Sequence, residues 1–154
     1  MSLNEEVDLL RNIPLFAALQ PSKLKLLAFT SQRLTFAPGH SLFHQGEVGD
    51  SAYIIVSGEA DVVVETPTGP FKVAALGKND FVGEIAILCN VPRTATITAA
   101  SELTALRISK DLFVKLIAEF PEMAVEMVRV LAQRLEHTTS DLLETRAKLE
   151  GRAP

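Results

Sequence analysis

At 154 residues, with 47% hydrophobic and 22% charged residues and a formal net charge of −4, the chain has single-domain size, a globular composition and no broad attraction for nucleic acid or an anionic membrane. A chain of this length buries roughly 70% of its unfolded surface, enough for a true core, and no apolar run approaches the roughly 18 residues of a membrane span. A single cysteine, Cys89, excludes an internal disulfide framework and an all-cysteine metal cluster.

The N-terminus carries Glu5, Glu6 and Asp8 where a signal peptide would carry basic residues ahead of an apolar stretch, so the working location is cytoplasmic. Residues 2–30 place Val7, Leu10 and Ile13, then Leu24, Leu27 and Ala28, at helical spacing, with Pro14 and Pro21 as breaks. Two short helices are expected there, packed as a satellite layer. From about Leu34 to Ile108 the texture changes to short β-rich runs punctuated by Pro38-Gly39, Gly46, Gly49, Gly58, Pro67-Thr68-Gly69-Pro70 and Gly77, the pattern of a rolled all-β core. Gly46, Glu47, Gly49 and Asp50 read as a tight turn between strands, with Tyr53 and Ile55 in the core. His40 and His44, followed by Glu47, share one face of an expected strand, but further ligands are not evident, so no metal site is expected.

The stretch Phe81–Thr96 has the parts to hold a small cyclic phosphodiester carrying a ribose. Gly83 lets the backbone pass close to a bound group, and the run Glu84–Leu88 can form a helix whose first N–H groups point at an anion. Ile85 and Ala86 would contribute those backbone groups while their side chains enter the core. Arg93 supplies a forked cation for phosphate, and Glu84 a pair of acceptors for a sugar hydroxyl. The plainer reading of Glu84 and Arg93 is a mutual or surface ion pair. Cys89 reads as an inert small residue of the core or of a loop.

The last strand alternates Thr104, Leu106 and Ile108 against Leu103, Ala105 and Arg107, so a half-buried strand is expected. Ser109 is placed to cap a helix over Lys110–Phe120 with Leu112, Leu116 and Phe120 on one face. From Pro121, at the favoured first helical position, to about Leu149 neither Pro nor Gly interrupts, which predicts one long helix. On it Val128, Leu131, Leu135, Thr138, Leu142, Thr145 and Leu149 repeat at alternating spacings of three and four, a heptad seam weakened by its threonines. The seam runs past what one small domain needs to cover, so a partner helix and a homodimer are expected.

Gly83-Glu84-Ile85-Ala86-Ile87-Leu88, then Pro92-Arg93-Thr94-Ala95-Thr96, resembles the phosphate-binding cassette of cyclic-nucleotide-binding domains, and Gln45–Gly58 matches the pattern upstream of that cassette. The resemblance implies a β roll of jelly-roll type (mainly β, in the α+β sense), with N-terminal helices over 1–30, a roll over 31–109 and hinge and lid or dimer helices over 110–150, all one domain. It implies that Arg93 pairs with a phosphate oxygen, that Glu84 takes the ribose 2′-hydroxyl, and that Thr94 and Ala95 lie next to the phosphate. Thr94 can also reach the base edge. Two departures stand out. Asn79 replaces a common Gly but tolerates the positive φ of its turn, and Val82 stands where an aromatic or other residue is common. Further on, Ala132–Thr139 resembles the dimer helix of catabolite-activator-type (Crp/Fnr-type) regulators in register, which implies base contacts from Thr138 and Thr139, one from each subunit. Arg134 is either a solvated helix charge or a neighbour of that site.

These expectations amount to a non-enzymatic cyclic-nucleotide sensor, with cyclic AMP favoured over cyclic GMP, that signals by repositioning its C-terminal helix. The alternative is a nucleotide-independent dimerisation or interaction module with a vestigial pocket. Only Gly151–Pro154 follow the long helix, too few for a helix-turn-helix, so direct DNA binding by this chain is not expected. The response then passes to a separate effector, or the chain is a fragment of a larger regulator.

Overall fold

The structure is a computed structural model that describes residues 3–151. Met1 and Ser2, the start of the expected N-terminal helices, and Arg152–Pro154, the tail after the long helix, lie outside the described residues. Helix α1 (Leu3–Arg11), a 3-10 turn (Pro14–Phe16) and α2 (Pro21–Thr30) lead into the strands, and both Pro14 and Pro21 open their element, where a missing N–H costs nothing. Eight strands follow: β1 (Gln32–Phe36), β2 (Ser41–Phe43), β3 (Ser51–Ser57), β4 (Ala60–Thr66), β5 (Gly69–Leu76), β6 (Phe81–Val82), β7 (Thr96–Ala99) and β8 (Leu103–Ser109). The short helix α3 (Glu84–Leu88) interrupts them, and α4 (Lys110–Glu119) and α5 (Pro121–Leu149) end the chain.

The strands pair antiparallel in two four-stranded sheets, ordered β1-β8-β3-β6 and β2-β7-β4-β5. Between the sheets lies one core, built from Phe43, Tyr53, Ile55, Val82, Ile97, Leu103 and Ala105 among others. The larger core covers the outer face of the first sheet, where Ile54, Phe81, Leu106 and Ile108 meet Leu10, Phe16, Leu24, Leu27, Phe113, Met123 and Met127 from the helices. The N-terminal helices are therefore part of the main apolar cluster and not a satellite of it. For the same reason β8 is not half-buried: Leu106 and Ile108 serve the helical core while Leu103 and Ala105 serve the core between the sheets. Alternation along a strand marks its two faces but does not reveal that helices cover the second one.

Local chemistry sets the joints. Asn79 adopts φ 73°, donates its backbone N–H to Ile55 O at 2.8 Å, and so keeps the turn before β6. Ser109 caps α4, its hydroxyl accepting from Leu112 N at 3.3 Å. On α4 the buried pair is Phe113 and Leu116, with Leu112, Ile117 and Phe120 partly buried beside it. Phe120 then leaves helical geometry (φ −123°, ψ 89°) and Pro121 restarts the chain as α5, so the joint between the two helices is one non-helical residue followed by a proline. Along α5 only Met123 and Met127 are buried, whereas Val128, Leu135, Leu142 and Leu149 are between 65% and 83% exposed.

Candidate functional site

Gly83 holds the site together because two constraints meet there. It takes φ 92°, and a Cβ on it would lie 2.6 Å from Arg93 Nη1 and 3.2 Å from Ser51 O. It caps α3 from outside, leaving the N–H groups of Glu84, Ile85 and Ala86 without intrahelical partners. A second glycine fixes where α3 sits: a Cβ on Gly49 would lie 2.4 Å from Ala86 Cβ, so the turn before β3 touches the helix directly. Two backbone bonds tie that turn to the cassette, Gly46 N to Arg93 O and Arg93 N to Glu47 O, both 2.8 Å.

Arg93 is only 3% exposed. Its guanidinium donates to Gly83 O at 2.9 Å and to Ser51 O at 2.7 Å, and lies 4.0 Å from the centre of the Phe43 ring. Asp50 approaches it at 3.8 Å while bonding Ser51 Oγ at 2.9 Å and Arg107 at 3.0 Å. Burial pushes the Arg93 pKa down from its ordinary value against the pull of Tyr53, Asp50 and Glu47, and a guanidinium stays protonated through such a shift. Its Nε is buried with no hydrogen-bond partner.

Glu84 is likewise 3% exposed. It does not pair with Arg93. Its Oε1 accepts from Arg134 Nη1 on α5 at 3.4 Å, and its Oε2 is buried with no partner. Burial raises the Glu84 pKa; its own backbone N–H, Arg134 and Arg93 act against that shift without cancelling it. Arg134 reaches further, donating to Phe81 O at 2.7 Å and lying 4.7 Å from the centre of the Phe81 ring. It is therefore a site neighbour that fastens α5 to the cassette, not a solvated helix charge.

These groups wall a cavity of about 880 Å³ between the roll and α5. Gly83, Glu84, Ala86, Arg93, Thr94 and Ala95 form one end, and Val62, Val73, Leu76, Val82 and Ile97 an apolar flank. Arg134, His137, Thr138, Asp141, Leu142 and Thr145 of α5 close the other side. Thr138 thus meets the cassette across the cavity, whereas its neighbour Thr139 is exposed and outside the wall. Ile85 departs from its expected core position: at 43% exposure its side chain sits on the cavity wall, because Ala86 and Ile87 take the buried face of so short a helix. Cys89 caps the end of α3 and is exposed. His44 Nδ1 lies 3.3 Å from Glu47 Oε1, and no cluster of three potential metal ligands occurs among the described residues.

Sequence reasoning undervalued two residues. Asp50 is more than the turn residue its sequence context suggests: its carboxylate braces Ser51, Arg93 and Arg107, and its carbonyl accepts from Lys110 N at 2.9 Å at the start of α4. Arg134 could have been placed on the site by its spacing, since it lies one helical turn before Thr138 and so on the same face.

A double sheet, a glycine-capped short helix and a long helix thus enclose a cavity with a buried arginine and helix N–H groups at one end and an apolar flank. The sequence profile described as Cyclic nucleotide-binding domain matches residues 33–120, and the chain belongs to that family. It is 33% identical over 138 residues to the CRP-like cAMP-activated global transcriptional regulator of Mycobacterium tuberculosis, covering 89% of this chain and 62% of that one. It is 34% identical over 108 residues to the cAMP-dependent protein kinase regulatory subunit of Yarrowia lipolytica, covering 70% of this chain and 28% of that one. Among solved structures, the Thermus thermophilus catabolite activator protein superimposes with a TM-score of 0.73 at 27% identity, over 86% of this chain and 63% of that chain. The chain thus spans less than two thirds of the length of these relatives. Both curated relatives are regulatory proteins by name, and no described helix is long and apolar enough to cross a membrane.

Proposed function

We propose that the chain is a cytoplasmic, non-catalytic sensor of cyclic AMP, with cyclic GMP the weaker ligand. The observation that carries this reading is the pair of buried, oppositely charged side chains on one cavity wall, each with a polar atom lacking a partner: Glu84 Oε2 and Arg93 Nε. An unpaired buried polar atom costs about 1–3 kcal/mol, and a ligand with a hydroxyl donor beside an anion supplies both missing partners. The phosphate would sit against the N–H groups of Ile85 and Ala86 and the Arg93 fork, with Thr94 and Ala95 alongside, and the ribose 2′-hydroxyl would donate to Glu84. The purine would then lie along the apolar flank towards Thr138. The preference for adenine draws on the relatives, whose names specify cAMP.

Signalling would run through α5. Ligand bonded to Glu84 Oε2 shares the carboxylate whose Oε1 Arg134 holds, so occupancy shifts the balance between placements of α5 about the Phe120-Pro121 joint. The exposed stripe Val128, Leu135, Leu142 and Leu149 suits a parallel partner helix, making the working unit a homodimer in which Thr139 faces the partner's ligand. A separate effector, or a further part of a longer chain, would read the helix position. Calorimetric titration with cyclic AMP and cyclic GMP is the direct test. Saturable binding with cyclic AMP tighter is expected, and no binding of either would refute the reading. A light-scattering mass of one chain, with and without ligand, would remove the dimer.

A further inference from the structure

The α5 wall of the cavity does not stop at Thr138. Arg134, Thr138 and Asp141 follow one another at spacings of four and three, so they form one stripe along the cavity. Their levels can be read against the cassette. Arg134 touches Glu84 at 3.4 Å and marks the level proposed for the ribose. At a rise of about 1.5 Å per residue, Thr138 stands about 6 Å and Asp141 about 10 Å further along the helix. A base projecting from that sugar along α5 passes Thr138 and brings its outer edge towards Asp141.

Asp141 differs in kind from its neighbours. A hydroxyl both donates and accepts, whereas an ionised carboxylate only accepts. His137, one turn earlier and also on the wall, lies 3.4 Å from Asp141 Oδ2, which leaves Oδ1 outside that contact and open to a ligand donor. The flank contributes Val73 and Ala74 from β5, which offer no side-chain acceptor. The part of adenine that needs an acceptor is its exocyclic amine.

We infer that Asp141 is a base-specificity residue of this cavity, accepting a hydrogen bond from the 6-amino group of a bound adenine while the Thr138 hydroxyl serves the adjacent ring nitrogen. The assignment rests on the reading that the cavity holds a cyclic purine nucleotide. It makes the amine, and not only the purine outline, a condition of tight binding.

The test compares wild type, Asp141→Ala and Asp141→Asn by calorimetry with cyclic AMP, cyclic GMP and the cyclic monophosphate of purine riboside, which lacks the 6-amino group. The Asp141 side chain is 61% exposed, so neither substitution disturbs the core. Wild type is expected to favour cyclic AMP over the amine-free analogue by about tenfold, the effect of one charge-assisted hydrogen bond. Asp141→Ala should bind the two within about twofold, and Asp141→Asn should fall between. A wild type without that preference, a preference unchanged in Asp141→Ala, or a loss greater for cyclic GMP than for cyclic AMP overturns the assignment while leaving the phosphate and ribose contacts standing. No binding of any of the three nucleotides to wild type overturns both.

Discussion

The two ends of the cavity are built by different means. At the cassette end, Gly83, Glu84 and Arg93 lie within a short stretch of chain, the Glu84 and Arg93 side chains are buried, and backbone carbonyls hold the arginine. At the far end, His137, Thr138 and Asp141 project from a single helix and are exposed, and among the described residues none of the three side chains bonds to another element. The buried end cannot be altered without disturbing the roll, so it suits a part of the ligand that never varies. The helical end can change at little structural cost, so it suits the part that distinguishes one ligand from another. Arg134 is the link between them, since it belongs to the helix yet bonds Glu84 and the Phe81 carbonyl of the cassette.

Substitutions should separate the ends by size of effect. Arg93→Ala removes charge-assisted bonds worth about 1.5–3 kcal/mol and should weaken cyclic AMP by roughly one to two decades; unchanged calorimetric affinity would break the contrast at its buried end. The same change unpairs the carbonyls of Gly83 and Ser51, so a lower melting temperature, by about 1–3 kcal/mol of stability, should accompany it. Glu84→Gln comes next, with about a tenfold loss of affinity.

Glu84 also sets a pH dependence. Its folded pKa is raised, so the folded chain holds this proton more tightly than the unfolded chain does. The group's contribution to ligand-free stability is therefore complete below its unfolded pKa and is lost as pH rises through the folded value. Melting temperatures taken from acid to neutral pH should show a decline from this group that Glu84→Gln removes. Binding is expected to have the opposite sign, because in the proposed pose the ribose hydroxyl donates to the ionised carboxylate. Affinity should fall as the solution is acidified through the raised pKa, and a Glu84→Gln variant with the same acid-side fall would assign the titration elsewhere. The smallest effect is at the helix: Thr138→Ala should change the ratio of cyclic AMP to cyclic GMP affinity a few-fold while total affinity moves less. Equal losses for both nucleotides would argue against base reading by this residue.

The same division decides what could be read in the amino-acid sequence. The cassette was legible because its chemistry is local: a glycine at positive φ, a helix start and an arginine close by in the chain. Asn79 was legible for the same reason, its positive φ being a property of one residue. What escaped was set by tertiary packing. Alternation in β8 shows two faces but not the helices over the second, and the helical spacing of α5 shows a stripe but not that Arg134 turns back to Glu84, fifty residues earlier. The core position expected for Ile85 fails because the burial of so short a helix depends on which residue faces the roll, and Ala86, pressed against Gly49, takes that place.

The central claim is that one ligand bridges the cassette and α5, and backbone amide shifts during a cyclic AMP titration followed by NMR test it most directly. The account predicts the largest changes at Gly83, Ile85 and Ala86, with a second group at Thr138 and Asp141 that saturates at the same ligand concentration. Changes confined to other surfaces, or an unresponsive cassette, would contradict it.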